Sequence, residues 1–131
     1  MKRALVVDDS RAMCSLLRRL LSRFGFESDI AHNGEEALKK VEEHGAYDVA
    51  LIDHNMPIMN GIAMIEAIRE HREYDHMKLL MVTGDSDPRT VVRALRSGAD
   101  EYAMKPITVE VIEDKLRLLS LPIDPVPTAN P

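Results

Sequence analysis

The chain has a single cysteine, Cys14, in 131 residues. An intrachain disulfide is therefore excluded, and the sequence suits a reducing compartment. No apolar stretch approaches the ~20 residues that a membrane-spanning helix needs. The first apolar run, Leu5-Val6-Val7, is too short for a signal peptide and is followed at once by Asp8-Asp9, so the expectation is cytoplasmic residence with no membrane partner. There is no excess of basic charge: 17 Lys and Arg stand against 22 Asp and Glu, a formal net charge of −5. This argues against direct nucleic-acid binding, which calls for a basic surface. His32, His44, His71 and His76 show no metal-ligand spacing and read as surface or loop residues. No internal repeat is visible. The length fits one domain, and 45% hydrophobic with 30% charged residues is the balance of a soluble globular one.

What is present is an alternation. Leu5-Val6-Val7, Ser28-Asp29-Ile30-Ala31, Val49-Ala50-Leu51-Ile52, Leu79-Leu80-Met81-Val82 and Tyr102-Ala103-Met104 read as strands. The first, third and fourth are apolar at every position, as central parallel strands covered on both faces require. Helix-period segments lie between them. Met13, Leu16, Leu17, Leu20, Leu21 and Phe24 form one stripe that stops at Gly25. Asn33 with Glu36 marks the start of a second helix that buries Ala37, Leu38 and Val41. Asn60 caps a third with Met64, Ile65 and Ile68 inward. Asp87-Pro88 opens a fourth, expected to bury Val91, Val92 and Leu95 and to stop at Gly98. Thr108 caps a fifth over Val109, Ile112, Leu116 and Leu119. The order is (βα)5. Right-handed crossovers make that an α/β, doubly wound parallel sheet with helices on both faces. Residues 1–120 form the domain, and 121–131, with four prolines in eleven residues, are expected to be an extended, flexible tail.

Position carries the functional signal. Asp8-Asp9 closes the first strand, Asp53 the third, Thr83 the fourth and Lys105 the fifth. Carboxyl ends of parallel strands share one edge, where ligands of open α/β sheets bind, and neighbouring strands are only ~4.8 Å apart. Three bare carboxylates so close repel each other, and a divalent cation resolves the repulsion. An all-oxygen donor set without His or Cys favours Mg2+, or Mn2+, over zinc. Taken singly, Asp8-Asp9 is an ordinary helix-capping turn, Asp53 a strand-end turn residue, Thr83 a β-branched strand residue and Lys105 a solvated lysine. All four at strand ends in this order make a joint coincidence improbable.

Together these segments resemble the CheY-like receiver domain of two-component response regulators. The resemblance runs from about Lys2 to Leu119. It rests on Val7-Asp8-Asp9-Ser10, Asp53-His54-Asn55-Met56-Pro57 with Gly61, Val82-Thr83-Gly84, and the run Gly98 to Pro106. It implies the flavodoxin-like strand order 2-1-3-4-5. It further implies that Asp53 is the phosphoacceptor, and that Asp9, Asp53 and the main-chain carbonyl of Asn55 ligate Mg2+, with Asp8 acting through water. Thr83 would hydrogen-bond a phosphoryl oxygen, Lys105 would pair with the phosphoryl group, and Lys105-Pro106 would be a cis peptide. Thr83 and Tyr102 would form the switch. Gly84 stands where the family often has alanine, which leaves the phosphoryl group more open.

The implied function is a response-regulator receiver, chemotaxis-like, and not an enzyme beyond its own phosphotransfer and autodephosphorylation. Its partners would be a sensor histidine kinase or phosphotransfer protein and a downstream output protein. A receiver cut from a longer regulator or hybrid kinase is the first alternative. A small Mg2+-dependent phosphotransferase or phosphatase is the second, although no cap segment or second general acid is visible. A flavodoxin-like FMN carrier would need a hydroxyl- or glycine-rich loop where Asp8-Asp9-Ser10-Arg11 stands. On the fourth helix Arg89, Arg93 and Arg96 fall at i, i+4 and i+7, a basic stripe about 120° round from Val91, Val92 and Leu95. The family's usual output surface comprises the fourth helix, fifth strand and fifth helix, so this stripe is the expected docking site for an acidic or amphipathic segment.

Overall fold

The computed structural model describes residues 2–85 and 87–124. Its elements are β1 (Lys2–Val7), α1 (Arg11–Ser22), β2 (Phe26–Ala31), α2 (Gly34–His44), β3 (Val49–Asp53), α3 (Gly61–Arg69), a 3-10 turn (Arg72–Tyr74), β4 (Lys78–Thr83), α4 (Pro88–Ser97), β5 (Glu101–Met104) and α5 (Val109–Leu118). The sheet is wholly parallel, in the order β2-β1-β3-β4-β5.

Strand alternation sorts the core into two layers. Ala4, Val6, Leu51, Leu80 and Val82 face α1 and α5, against Leu17, Leu21, Ile112 and Leu116. Leu5, Val7, Ile52, Leu79 and Met81 face the other helices, against Val41, Ile65, Ile68 and Ala94. Both faces of the central strands are covered, which is why they are apolar throughout. The helix starts carry side-chain caps: Ser10 accepts from Met13 N, Asn33 from Glu36 N, Asn60 from Ala63 N, Asp87 from Arg89 N and Thr108 from Val111 N. Each satisfies an amide that the first helical turn leaves unpaired.

The expected inner face of α4 is corrected. Val91 is half-buried, but Val92 and Leu95 are 44% and 42% exposed, and the buried residues are Thr90 and Ala94. At ~100° per residue, Thr90 and Ala94 lie on the opposite flank of the arginine stripe from Val92 and Leu95. Their small side chains face the core, where Ala94 joins Ile65, Ile68 and Met81, and the larger apolar residues are left at the surface beside Arg96. Hydropathy ranks Val and Leu above Thr and Ala and so points to the wrong flank. The 3-10 turn was not anticipated, and the strands extend one to three residues beyond their apolar cores.

The beginning of the tail also departs from expectation. Leu121 and Ile123 pack on the α1/α5 layer, and Asp124 N donates to Phe24 O at 3.0 Å. Lys2 Nζ donates to Phe24 O at 2.9 Å and reaches Asp124 Oδ1 at 3.4 Å. Residues 125–131 of the expected tail lie outside the described residues.

Candidate functional site

Five polar residues converge at the carboxyl edge of the sheet. Asp8 and Asp9 follow β1, Asp53 ends β3, Thr83 ends β4, and Lys105 follows β5. Asp8, Asp53 and Thr83 are 1%, 5% and 0% exposed, so three polar groups are buried where only strand geometry holds them together. Asp8, Asp9 and Asp53 each offer a carboxylate oxygen within 4.8 Å of the others. Lys105 Nζ lies between two of them, 3.2 Å from Asp8 Oδ2 and 3.3 Å from Asp53 Oδ1. One ammonium therefore faces three carboxylates, and two negative charges remain uncompensated.

The electrostatics follow from that imbalance. Burial pushes the Asp53 carboxyl above the usual carboxylate range, and the Asp8 charge adds to it; Lys105 opposes both without cancelling them. For Lys105, burial pulls downward, but the attraction of Asp53 and Asp8 outweighs it and the net shift is upward. The ammonium is thus firmly charged while Asp53 is destabilised as an anion. A small hard cation fits such a donor set, which contains carboxylate oxygens and no sulfur or imidazole.

Local sequence explains each position. The Asp8 carboxylate accepts from Ser10 N at 2.9 Å, an i to i+2 turn that frees Asp9 to face outward. The Asp8 carbonyl accepts from the Cys14 thiol at 3.2 Å. Burial, with Asp8 nearby, pushes that thiol up to about 11, so Cys14 is a packed, unreactive group. Gly61 lies against the site loop: a Cβ there would stand 2.5 Å from the Asp53 carbonyl oxygen. Lys105-Pro106 is a cis peptide. Gly84 is exposed with nothing within 4 Å of a would-be Cβ. Asn55 is exposed in the loop after β3.

The remaining predicted residues lie away from this cluster. Tyr102 is half-buried on β5, and Lys115 Nζ sits 5.0 Å above its ring centroid; Lys115 is also paired with Glu101 at 3.4 Å. Arg89, Arg93 and Arg96 are all exposed and line a shallow groove with Pro88 and Val92. The Arg89 guanidinium is engaged by its own helix cap, Asp87, at 2.8 Å.

Sequence reasoning missed Asp85 and Thr90. Thr83 Oγ1 accepts from Asp85 N at 3.0 Å, and the Asp85 carboxylate accepts from Asp87 N and from the Thr90 hydroxyl, both at 2.8 Å. The signal was there in the spacing Thr83-x-Asp85-x-Asp87, two consecutive i to i+2 turns ahead of a capped helix.

Comparison with known proteins agrees with this arrangement. Residues 4–117 match the response regulator receiver domain family. The chain is 34% identical over 116 residues to the chemotaxis protein CheY1 of Helicobacter pylori, covering 88% of this chain and 94% of that protein. Among solved structures it is similar to the Vibrio cholerae chemotaxis protein CheY4, with TM-score 0.84, 30% identity, and coverage of 91% of this chain and 98% of that one. It is also similar to a response regulator protein from Burkholderia pseudomallei, solved with a phosphorylated aspartic acid, a calcium ion and citrate. There the TM-score is 0.77 and the identity 31%, over 86% of this chain and 65% of that one. Matched along nearly its whole described length and folded on the same plan, the chain belongs to the response regulator receiver domain family, as a chemotaxis-type signalling module of a phosphorelay rather than a classical enzyme.

Proposed function

We propose that Asp53 is the residue that accepts the phosphoryl group, and that the edge built by Asp8, Asp9, Thr83 and Lys105 serves that transfer. The observation that carries this reading is the bridging Lys105 ammonium, 3.2 Å and 3.3 Å from two buried carboxylates that leave it outnumbered. A site in that condition has room for one divalent cation and one further anionic group.

A carboxylate oxygen of Asp53 attacks phosphorus; an acyl phosphate forms as the bond from phosphorus to the donor's leaving atom breaks. Lys105, already charged, moves its contact from carboxylate to phosphoryl oxygen and neutralises charge there. Thr83, buried at the end of β4, supplies a hydroxyl proton to a second phosphoryl oxygen. Mg2+ is the resident cation that fits; Asp9, Asp53 and the Asn55 carbonyl would hold it, with Asp8 through water. When bound it neutralises the two excess charges and orients the incoming phosphate. The Burkholderia relative, solved with a phosphorylated aspartic acid, a calcium ion and citrate, supports an aspartyl phosphate as the modified group in a relative of this fold. Water then hydrolyses the acyl phosphate, which resets the module.

The donor is a phosphohistidine on a sensor kinase or phosphotransfer protein. The output surface is α4, β5 and α5, which present exposed Val92 and Leu95 beside Arg93 and Arg96 on α4 and half-buried Tyr102 on β5. An apolar strip flanked by guanidinium groups suits an amphipathic, acidic segment. Thr83→Ala should leave Asp53 phosphorylatable but break the dependence of partner binding on phosphorylation. The triple change of Arg89, Arg93 and Arg96 to Ala should weaken partner binding and flatten its salt dependence.

The test is incubation with a small phosphodonor and Mg2+. A receiver gives one labile phosphoryl group per chain, and the donor is consumed only as fast as that group hydrolyses. Sustained turnover of an added phosphoester, with no adduct on the chain, would instead mark an enzyme acting on other molecules.

A further inference from the structure

The hydroxyl of Thr83 is not free in this structure. Its oxygen accepts from Asp85 N at 3.0 Å. Asp85 is itself tied at both carboxylate oxygens: Oδ1 accepts from Asp87 N and Oδ2 from the Thr90 hydroxyl, each at 2.8 Å. Asp87 caps α4 by accepting from Arg89 N at 2.9 Å. Thr90 sits in the first turn of α4, 8% exposed, on the face that anchors the helix to the core with Ala94. A chain of hydrogen bonds therefore runs from the strand-end threonine to the first turn of a packed helix.

Resting on the phosphoacceptor reading above, we propose that Asp85 and Thr90 are positioning residues: a latch that holds Thr83 in its resting place and sets how readily Asp53 takes a phosphoryl group. Thr83 moves toward a phosphoryl oxygen only if its bond to the Asp85 amide lengthens or Asp85 travels with it. Asp85 does not travel freely, because both of its carboxylate oxygens are fixed to the start of α4. Either route works against hydrogen bonds that exist in the unphosphorylated chain, so these bonds favour the resting state. Thr90 adds a second consequence. The bond that restrains Thr83 ends on the helix that bears Val92, Leu95 and the arginine stripe, so strain at the site is delivered to the start of the output face.

Removing a hydrogen bond ordinarily weakens ligand binding near it; removing one that holds only the resting state strengthens it. Thr90→Val keeps the shape of the buried side chain and deletes the hydroxyl. The net worth of one such bond corresponds to about a two- to tenfold gain in affinity.

The experiment titrates beryllofluoride, a phosphoryl mimic, into the full chain at saturating Mg2+ by calorimetry. Wild type, Thr90→Val, Thr90→Ser and Asp85→Ala are compared, with thermal stability measured alongside. The latch predicts about two- to tenfold tighter binding for Thr90→Val, at least as large a gain for Asp85→Ala, and wild-type affinity for Thr90→Ser, which restores the hydroxyl. A role confined to folding would lower thermal stability and leave the affinity unchanged or weaker, and either outcome overturns the latch. Wild type that binds no beryllofluoride overturns the phosphoacceptor reading itself, and the latch with it; binding by wild type with equal affinity in Thr90→Val overturns the latch alone.

Discussion

The two edges of the sheet treat charge in opposite ways. Toward the amino edge the charges of Arg69, Asp100, Asp29 and Arg3 are spent on partners. The Arg69 guanidinium donates to the carbonyls of Gly98, Tyr74 and Met77 at 2.9–3.0 Å and to Asp100 Oδ2 at 2.9 Å. Asp100 Oδ2 also accepts from Leu79 N at 2.8 Å. The Tyr47 hydroxyl donates to Asp29 at 2.7 Å, and Arg3 pairs with the same carboxylate at 3.0 Å. At the carboxyl edge, three carboxylates share one ammonium. The amino edge is architecture, in which these charged groups are paired and their removal loses hydrogen bonds. The carboxyl edge is kept short of cations, which costs stability and, on the function proposed above, suits it to a metal and a phosphoryl group. If that contrast holds, neutralising a charge should destabilise one edge and stabilise the other.

The largest effect belongs to the amino edge. Arg69→Ala takes the guanidinium from three carbonyls and from the Asp100 carboxylate, which keeps Leu79 N, while the Tyr74 carbonyl keeps Met77 N. It should lower stability by about 2–4 kcal/mol, read as a fall in the urea midpoint with unchanged slope. A midpoint within error of wild type would break the comparison at its stronger end.

At the carboxyl edge the sign reverses. Asp53→Asn removes a buried anion whose carboxyl is pushed upward by burial and by Asp8. It should raise stability by about 1 kcal/mol at neutral pH in metal-free buffer. The folded chain keeps the Asp53 proton to higher pH than the unfolded chain does, so wild type loses stability as pH rises through that range. The advantage of Asp53→Asn should therefore be small near pH 3 and grow as pH rises past the unfolded carboxylate value of about 4, then level off above the folded value. Added Mg2+ should reverse the order, because only wild type keeps the full donor set.

The smallest effect sharpens the amino edge. The hydrogen bond from Tyr47 is the chief reason that the Asp29 carboxyl is lowered; burial opposes it and Arg3 assists. A depressed carboxylate contributes stability above its unfolded value, and that contribution is lost as pH falls through the folded one. Asp29 is 39% exposed, so solvent screens the interaction, and Tyr47→Phe should cost only about 0.5 kcal/mol at pH 7. The difference between the two proteins should shrink as pH falls below about 4. Thermal unfolding at pH 7 and at pH 3 checks this.

These contrasts also explain what the sequence made legible. Asp53 and Thr83 stand out because a single polar residue ends an apolar strand, and the parallel topology brings such ends together without further information. The five-strand plan followed from the same apolar runs and from caps such as Asn60 and Thr108. Arg69 left no trace, because three of its four partners within 3.0 Å are backbone carbonyls from two separate segments, and carbonyls have no sequence signature. Tyr47 is hidden for a related reason: it is a lone buried aromatic between elements, and its hydroxyl partner lies 18 residues away. The face of α4 was misjudged because burial there selects small residues, Thr90 and Ala94, while the large apolar ones are left outside. The docking of Leu121 and Ile123 depends on a groove that exists only once α1 and α5 have packed.

The central claim is that the cation-poor carboxyl edge exists to phosphorylate Asp53. Its most direct test is intact-mass measurement of wild type and Asp53→Asn after exposure to a small phosphodonor, with and without Mg2+. One phosphoryl group on wild type, only with Mg2+ present, and none on Asp53→Asn is the predicted result. An adduct of equal yield on Asp53→Asn would contradict it.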